Sequence, residues 1–141
     1  KQEFLLVSAS LQDIIRNYLE HHDSFEHFAD KIRIQINDTH PALLIPELIR
    51  ILTRHHNIVW HTAVEMTRTI TSYTNHTILR EALEQWDQEL MRTMLPRQYK
   101  IIELLNHEFC NNVRSRFPGN EDLVKSVSII ENGMVRMANL S

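Results

Sequence analysis

Glycine is almost missing from this chain of 141 residues: only Gly119 and Gly133 occur. Average usage is about 7%, so tight turns are scarce and the chain should be mostly helical. Cysteine occurs once, at Cys110, which excludes an internal disulfide and fits a reducing compartment. No apolar run approaches the ~20 residues needed to cross a bilayer. No cluster of lysine and arginine stands out, and the formal charge is -3 with a pI of about 6.3. Neither nucleic acid nor a membrane is therefore expected as a partner. The nine histidines make the charge less negative near pH 6. The opening, "KQEFLLVSASLQDII", has no initiator methionine and no signal-peptide pattern, so it reads as the middle of something longer.

What is present suits a globular α/β chain. The apolar fraction is 43% and the charged fraction 23%, enough for a real core and against disorder along the whole length. Leu5, Leu6, Leu11, Ile14, Ile15, Tyr18 and Leu19 are spaced as in a helix over 5–19. Residues 20–30 are polar with scattered aromatics and read as a loop. In "KIRIQIND", Ile32, Ile34 and Ile36 alternate with Arg33 and Gln35, the period of a strand. Pro41 and Pro46 fit only near helix starts, which predicts an irregular first turn and a regular helix from about Pro46. A helix is expected over 59–68, a second strand within 69–77, and a helix over 78–86. The clearest helix starts at Pro96 and carries Ile101, Ile102, Leu105, Phe109, Val113 and Phe117 as a continuous apolar stripe. "PGN" at 118–120 stops it, and a short helix and a short strand at Ser128–Ile130 are expected beyond.

The two predicted strands end alike. One runs into Asn37, Asp38, Thr39 and His40; the other into Thr74, Asn75, His76 and Thr77. The intervening chain is long enough for a βαβ crossover, so the strands can be parallel with both clusters at carboxyl ends. Ligands of open α/β sheets bind outside those ends. Asp38 supplies acceptors, Asn75 supplies donors and acceptors, and His40 and His76 supply one of each or two donors. That mixture suits a polyhydroxylated ligand such as a sugar. Thr39 and Thr77 fit helix capping equally well.

Four blocks resemble a known family: "KQEFLLVSASLQDIIR", "IQINDTHPALLIPELIRIL", "SYTNHTILREALEQW" and "LPRQYKIIELLN". They are similar to the α-glucan phosphorylases, the glycogen, starch and maltodextrin enzymes, and the likeness runs on to the closing "VRMANLS". The resemblance implies a predominantly helical α/β segment of a Rossmann-like glycosyltransferase (GT-B) domain, with two or three short parallel strands. Residues 1–141 would be one piece of the N-terminal, glucan-side domain, without the C-terminal cofactor domain. The family cleaves terminal α-1,4-linked glucose with inorganic phosphate, releasing glucose 1-phosphate, and holds pyridoxal phosphate on a lysine of the C-terminal domain. By resemblance His76 is the catalytic residue, lying against the glucosyl group being transferred. Asp38, His40 and Asn75 are the substrate-binding residues of the same cleft. No cofactor site is expected in this chain, and the chain alone is expected to be inactive. Where the family continues its "NHT" block with Leu-Pro-Glu-Ala-Leu, this chain has Leu79, Arg80, Glu81, Ala82 and Leu83. Arg80 in place of the proline predicts a looser turn.

The remaining signals read as structure. His21–His22, His55–His56 and His61 lack metal-ligand spacing and read as surface histidines. The sequons at Asn37, Asn75 and Asn139 are chance matches. Met91, Met94, Met134 and Met137 read as core fillers. A piece cut from a larger domain would leave part of the 101–117 stripe uncovered, so a homo-oligomer is expected. The cytoplasm is the natural compartment for the family's substrates. A non-catalytic helical module that binds sugar or protein stays open as the alternative.

Overall fold

Val7, Leu11, Ile15 and Tyr18 bury one stripe of the first helix, α1 (Gln2–Leu19). The computed structural model describes residues 2–141, apart from the Arg80 side chain. The effect expected of Arg80 therefore lies outside the described residues. Leu5 and Leu6 share the helical spacing, yet both are 68% exposed. The segment read as a loop contains one helical turn, α2 (Phe28–Lys31). Two buried aromatics nucleate it: Phe25 and Phe28 lie 5.2 Å apart at 63°, and the Phe28 N–H donates to the Phe25 carbonyl. Tyr18 meets the Phe28 ring edge-on at 5.0 Å and donates from its hydroxyl to the Ser24 carbonyl.

Strand β1 (Ile34–Asn37) follows, with Ile36 buried and Gln35 exposed as its alternation requires. Helix α3 (Leu44–His55) starts two residues before the expected Pro46. Pro46 then occupies the first turn, where its missing N–H would have had no helical partner. Every residue from Ala42 to Ile49 is buried, so α3 is enclosed on more than one face. It packs against α1 and against α4 (Trp60–Ile70). Inside this layer Glu47 is fully buried and accepts from Ser8 Oγ at 2.8 Å and from Arg50 Nε and Nη2 at 2.8 and 2.9 Å. Helix α4 runs directly into β2 (Thr71–Thr74), which pairs with β1 in parallel, Ile34 opposite Thr71 and Asn37 opposite Thr74. The expected parallel pair is thus formed.

The chain divides into two compact units, residues 1–76 and 77–140. In the second, the helix expected over 78–86 does not form. Ile78 is 98% exposed and Leu79 60% exposed, so their apolar spacing has nothing to bury against. A single 3₁₀ turn (Arg80–Ala82) is followed by strand β3 (Gln85–Asp87). Asp87 caps the next helix, α5 (Gln88–Met94), accepting the Leu90 N–H at 2.8 Å.

Helix α6 (Pro96–Arg116) carries proline in its first turn. Its stripe is buried only at the start. Ile101 and Ile102 lie in the core, whereas Phe109 is 44% and Phe117 52% exposed. Gly119 takes a φ of 80, and Asn120 caps α7 (Glu121–Val127). The strand expected at Ser128–Ile130 is β4 (Ile130–Glu131), turned back by Asn132 and Gly133 into β5 (Met134–Arg136). Both turn residues have positive φ, 50 and 74, the pattern of an Asn-Gly hairpin turn. The order β3-β5-β4 is antiparallel throughout, a sheet the sequence reading does not contain. Met91 and Met137 are core fillers as expected, while Met94 sits outside. A last helical turn, α8 (Met137–Leu140), ends the unit.

Candidate functional site

The parallel pair sorts its side chains by face. Ile36 and its register partner Tyr73 point to the buried side. Gln35, Asn37, Ser72 and Thr74 are exposed on the other, where Gln35 Nε2 donates to Thr74 Oγ1 at 2.7 Å. The ladder runs one step past β1, through the Asp38 N–H to the Thr74 carbonyl at 2.9 Å. There the chain turns sharply. Asp38 has a φ of 57, in the left-handed region that aspartate tolerates better than most residues but that still costs on the order of 1 kcal/mol.

That turn has a consequence. It brings Asp38 Oδ1 to the backbone of the neighbouring strand end, where it accepts the His76 N–H at 2.8 Å. A carboxylate accepting a backbone N–H is a charge-assisted bond, stronger than a neutral one. The two polar clusters singled out in the sequence are therefore physically joined, and the joint fixes where His76 leaves β2. His76 and Asn75 are exposed at this end, and Asp38 is half-buried.

His40 is placed differently. Its side chain is exposed and its Nδ1 lies 3.6 Å from Glu3 Oε1, so it turns toward the start of α1. No contact joins it to Asp38 or His76 among the described residues. Thr39 is buried in the turn before α3, whose N-cap position is Leu43. Thr77 likewise precedes irregular chain, with no α-helix until Gln88.

Tyr73 belongs to this site and is absent from the sequence-based assignment. Its hydroxyl is buried and has no hydrogen-bond partner among the described residues. Burial pushes the phenol above its usual pKa, and the Asp38 charge pushes it further. Only the strand register reveals it, by setting Tyr73 beside Ile36, two residues before Asp38.

A separate open groove of about 570 Å³ lies along α1 and the end of α3, lined by Leu5, Gln12, Arg16, Ile51, His55 and His56 among others. None of the four candidate residues lines it.

A helix-rich α/β chain whose parallel strands end in joined polar clusters is of the Rossmann-like kind, a class whose ligands bind outside the strand carboxyl ends. The carbohydrate phosphorylase profile matches residues 1–141. The chain belongs to the carbohydrate phosphorylase family. It is 48% identical to a glycogen phosphorylase of Chlamydia pneumoniae over its whole length, which is 18% of that protein. It is 45% identical to one from Bacillus subtilis and 43% identical to the muscle form of Oryctolagus cuniculus, again covering 100% of this chain and 18% of each relative. The chain thus spans less than a fifth of the length of these relatives.

Proposed function

We propose that this chain is the glucan-side segment of a glycogen or maltodextrin phosphorylase, part of that enzyme's N-terminal domain. The bond from the His76 N–H to Asp38 carries the reading. It makes one rigid edge of two separate polar clusters, at the end of the sheet where α/β proteins take their ligands. In the reaction, the glycosidic C1–O bond of the terminal glucose breaks and C1 bonds to a phosphate oxygen. The products are glucose 1-phosphate and a glucan shorter by one residue. His76 lies against the transferred glucosyl group and stabilises charge that develops at its ring and anomeric carbon. Asp38, Asn75 and His40 hold the sugar hydroxyls and limit its orientation.

Pyridoxal phosphate serves the parent enzyme by supplying a phosphate group for acid–base chemistry at the substrate phosphate. The parent acts in the cytoplasm, as a homo-oligomer under allosteric control. The test is phosphate-dependent release of glucose 1-phosphate from maltodextrin. The full-length protein that carries this sequence is expected to turn over, and residues 1–141 with added cofactor are not. Turnover by the short chain, or none by the full-length protein, overturns the reading.

A further inference from the structure

The turn between β4 and β5 sets a side-chain amide beside an unengaged backbone nitrogen. Asn132 and Gly133 are both exposed, with φ of 50 and 74. They form the whole loop of a hairpin whose register closes at Glu131 opposite Met134. The Gly133 carbonyl accepts the Gln88 N–H at 2.9 Å. The Gly133 N–H and the Asn132 side chain make no hydrogen bond among the described residues. A β-carbon on Gly133 would meet no atom within 4 Å, so no neighbour crowds that nitrogen. Asn57 supplies the contrast. It too is exposed and has a positive φ, 56. Yet the residue after it, Ile58, donates its N–H to the Leu52 carbonyl at 3.0 Å and carries a stiff branched side chain. Of all the asparagines in the chain, only Asn132 precedes a glycine.

We propose that Asn132 is a site of spontaneous deamidation, with water as the co-reactant. The Gly133 nitrogen attacks Asn132 Cγ and gives up its proton. The bond from Cγ to the side-chain nitrogen breaks, ammonia leaves, and a succinimide ring remains. Water then opens the ring at either carbonyl, giving aspartate or isoaspartate at position 132. The isoaspartyl product carries the main chain through the former side chain, which adds one carbon to the turn. A turn so lengthened no longer fits the pairing of Ile130 with Val135 and of Glu131 with Met134. It also displaces the Gly133 carbonyl from the Gln88 N–H, the bond that ties the hairpin to the start of α5. The aspartyl product adds only a charge beside Glu131 and leaves the backbone intact. Isoaspartate formation thus loosens the antiparallel sheet as the protein ages.

The test needs no activity and stands apart from the phosphorylase reading. The full-length protein is aged at mildly alkaline pH, both folded and in denaturant, and the products at Asn132 and Asn57 are measured by peptide mapping with mass spectrometry. Asn132 is expected to convert in the folded protein within about threefold of its denatured rate, since an exposed turn opens at little cost. Asn57 is expected to slow about tenfold on folding, because the Ile58 bond must break before attack. In the isoaspartyl fraction, amide exchange at Gln88 and Arg136 is expected to quicken about tenfold. Asn132→Asp should exchange near the parent rate, and Asn132→Gly, which keeps a turn-forming pair but has no amide to lose, should not change with age. Slowing of Asn132 by tenfold or more on folding overturns the site, since the turn would then protect it. Unchanged exchange in the isoaspartyl fraction, or equal quickening in Asn132→Asp, overturns the role of the lengthened turn.

Discussion

Substituting Asp38 separates its two duties, accepting the His76 N–H and tolerating a left-handed backbone. Its φ is 57 and its Oδ1 lies 2.8 Å from the His76 nitrogen. Asp38→Asn keeps an oxygen at the same place and tolerates this conformation as well, so the His76 N–H should keep its acceptor. Asp38→Gly loses the acceptor but relaxes the backbone; at a half-exposed site the lost bond is worth about 1 kcal/mol. Asp38→Ala loses the acceptor and keeps a β-carbon at positive φ, so it forfeits the bond without the relief of about 1 kcal/mol that glycine gains. The assay is amide hydrogen exchange at His76, which reports local opening directly. Exchange is expected to quicken about fivefold in the alanine variant and to stay within about twofold of the parent in the glycine variant, where the relaxed backbone offsets the lost bond, since about 1.4 kcal/mol is a factor of ten. The asparagine variant should stay near the parent rate. Equal exchange in all four proteins would mean that the carboxylate does not hold the strand end, and the reasoning about this site would fail.

Other predictions concern the scaffold. Glu47→Ala leaves the Arg50 guanidinium, whose side chain is 13% exposed, in the core without its carboxylate, and should cost about 3 kcal/mol in denaturant unfolding. Gly133→Ala meets no atom within 4 Å, so its cost is conformational alone, about 1 kcal/mol in the same assay. Asn106 Oδ1 accepts the N–H groups of Ile129 and Ile130 at 2.8 and 3.3 Å, and Asn106→Leu should cost about 2 kcal/mol by stranding them. Burial, and then the neighbouring His55, hold His56 below its usual pKa. The unfolded chain therefore binds the proton first, and stability is expected to fall as pH drops below about 6.5. His56→Gln should flatten that part of the pH profile of the melting temperature.

Local patterns made much of the fold legible. The alternation of Ile32, Ile34 and Ile36 marked β1, and Pro96 with Ile101 and Ile102 marked α6, because period and termini are written within each segment. The antiparallel sheet was not legible. Trp86 is a strand residue only because Val135 pairs with it from far along the chain, and its own neighbourhood carries a helical spacing. Asn132-Gly133 is the exception: that hairpin signal stood in the sequence unread. At the candidate site, the likeness of the two strand ends was enough to bring the clusters holding Asp38 and His76 together, but not to show which residues bond. Tyr73 needed the register, and the turn of His40 toward Glu3 needed the packing of α1.

The most direct measurement is phosphorolysis by the full-length protein with His76→Ala, compared with the parent at saturating maltodextrin and phosphate. Loss of a group that stabilises developing charge lowers turnover about 10²–10³-fold, and that loss is expected with the melting temperature unchanged. Turnover within about twofold of the parent would contradict the account, because an electrostatic contribution of that size could not then reside at His76.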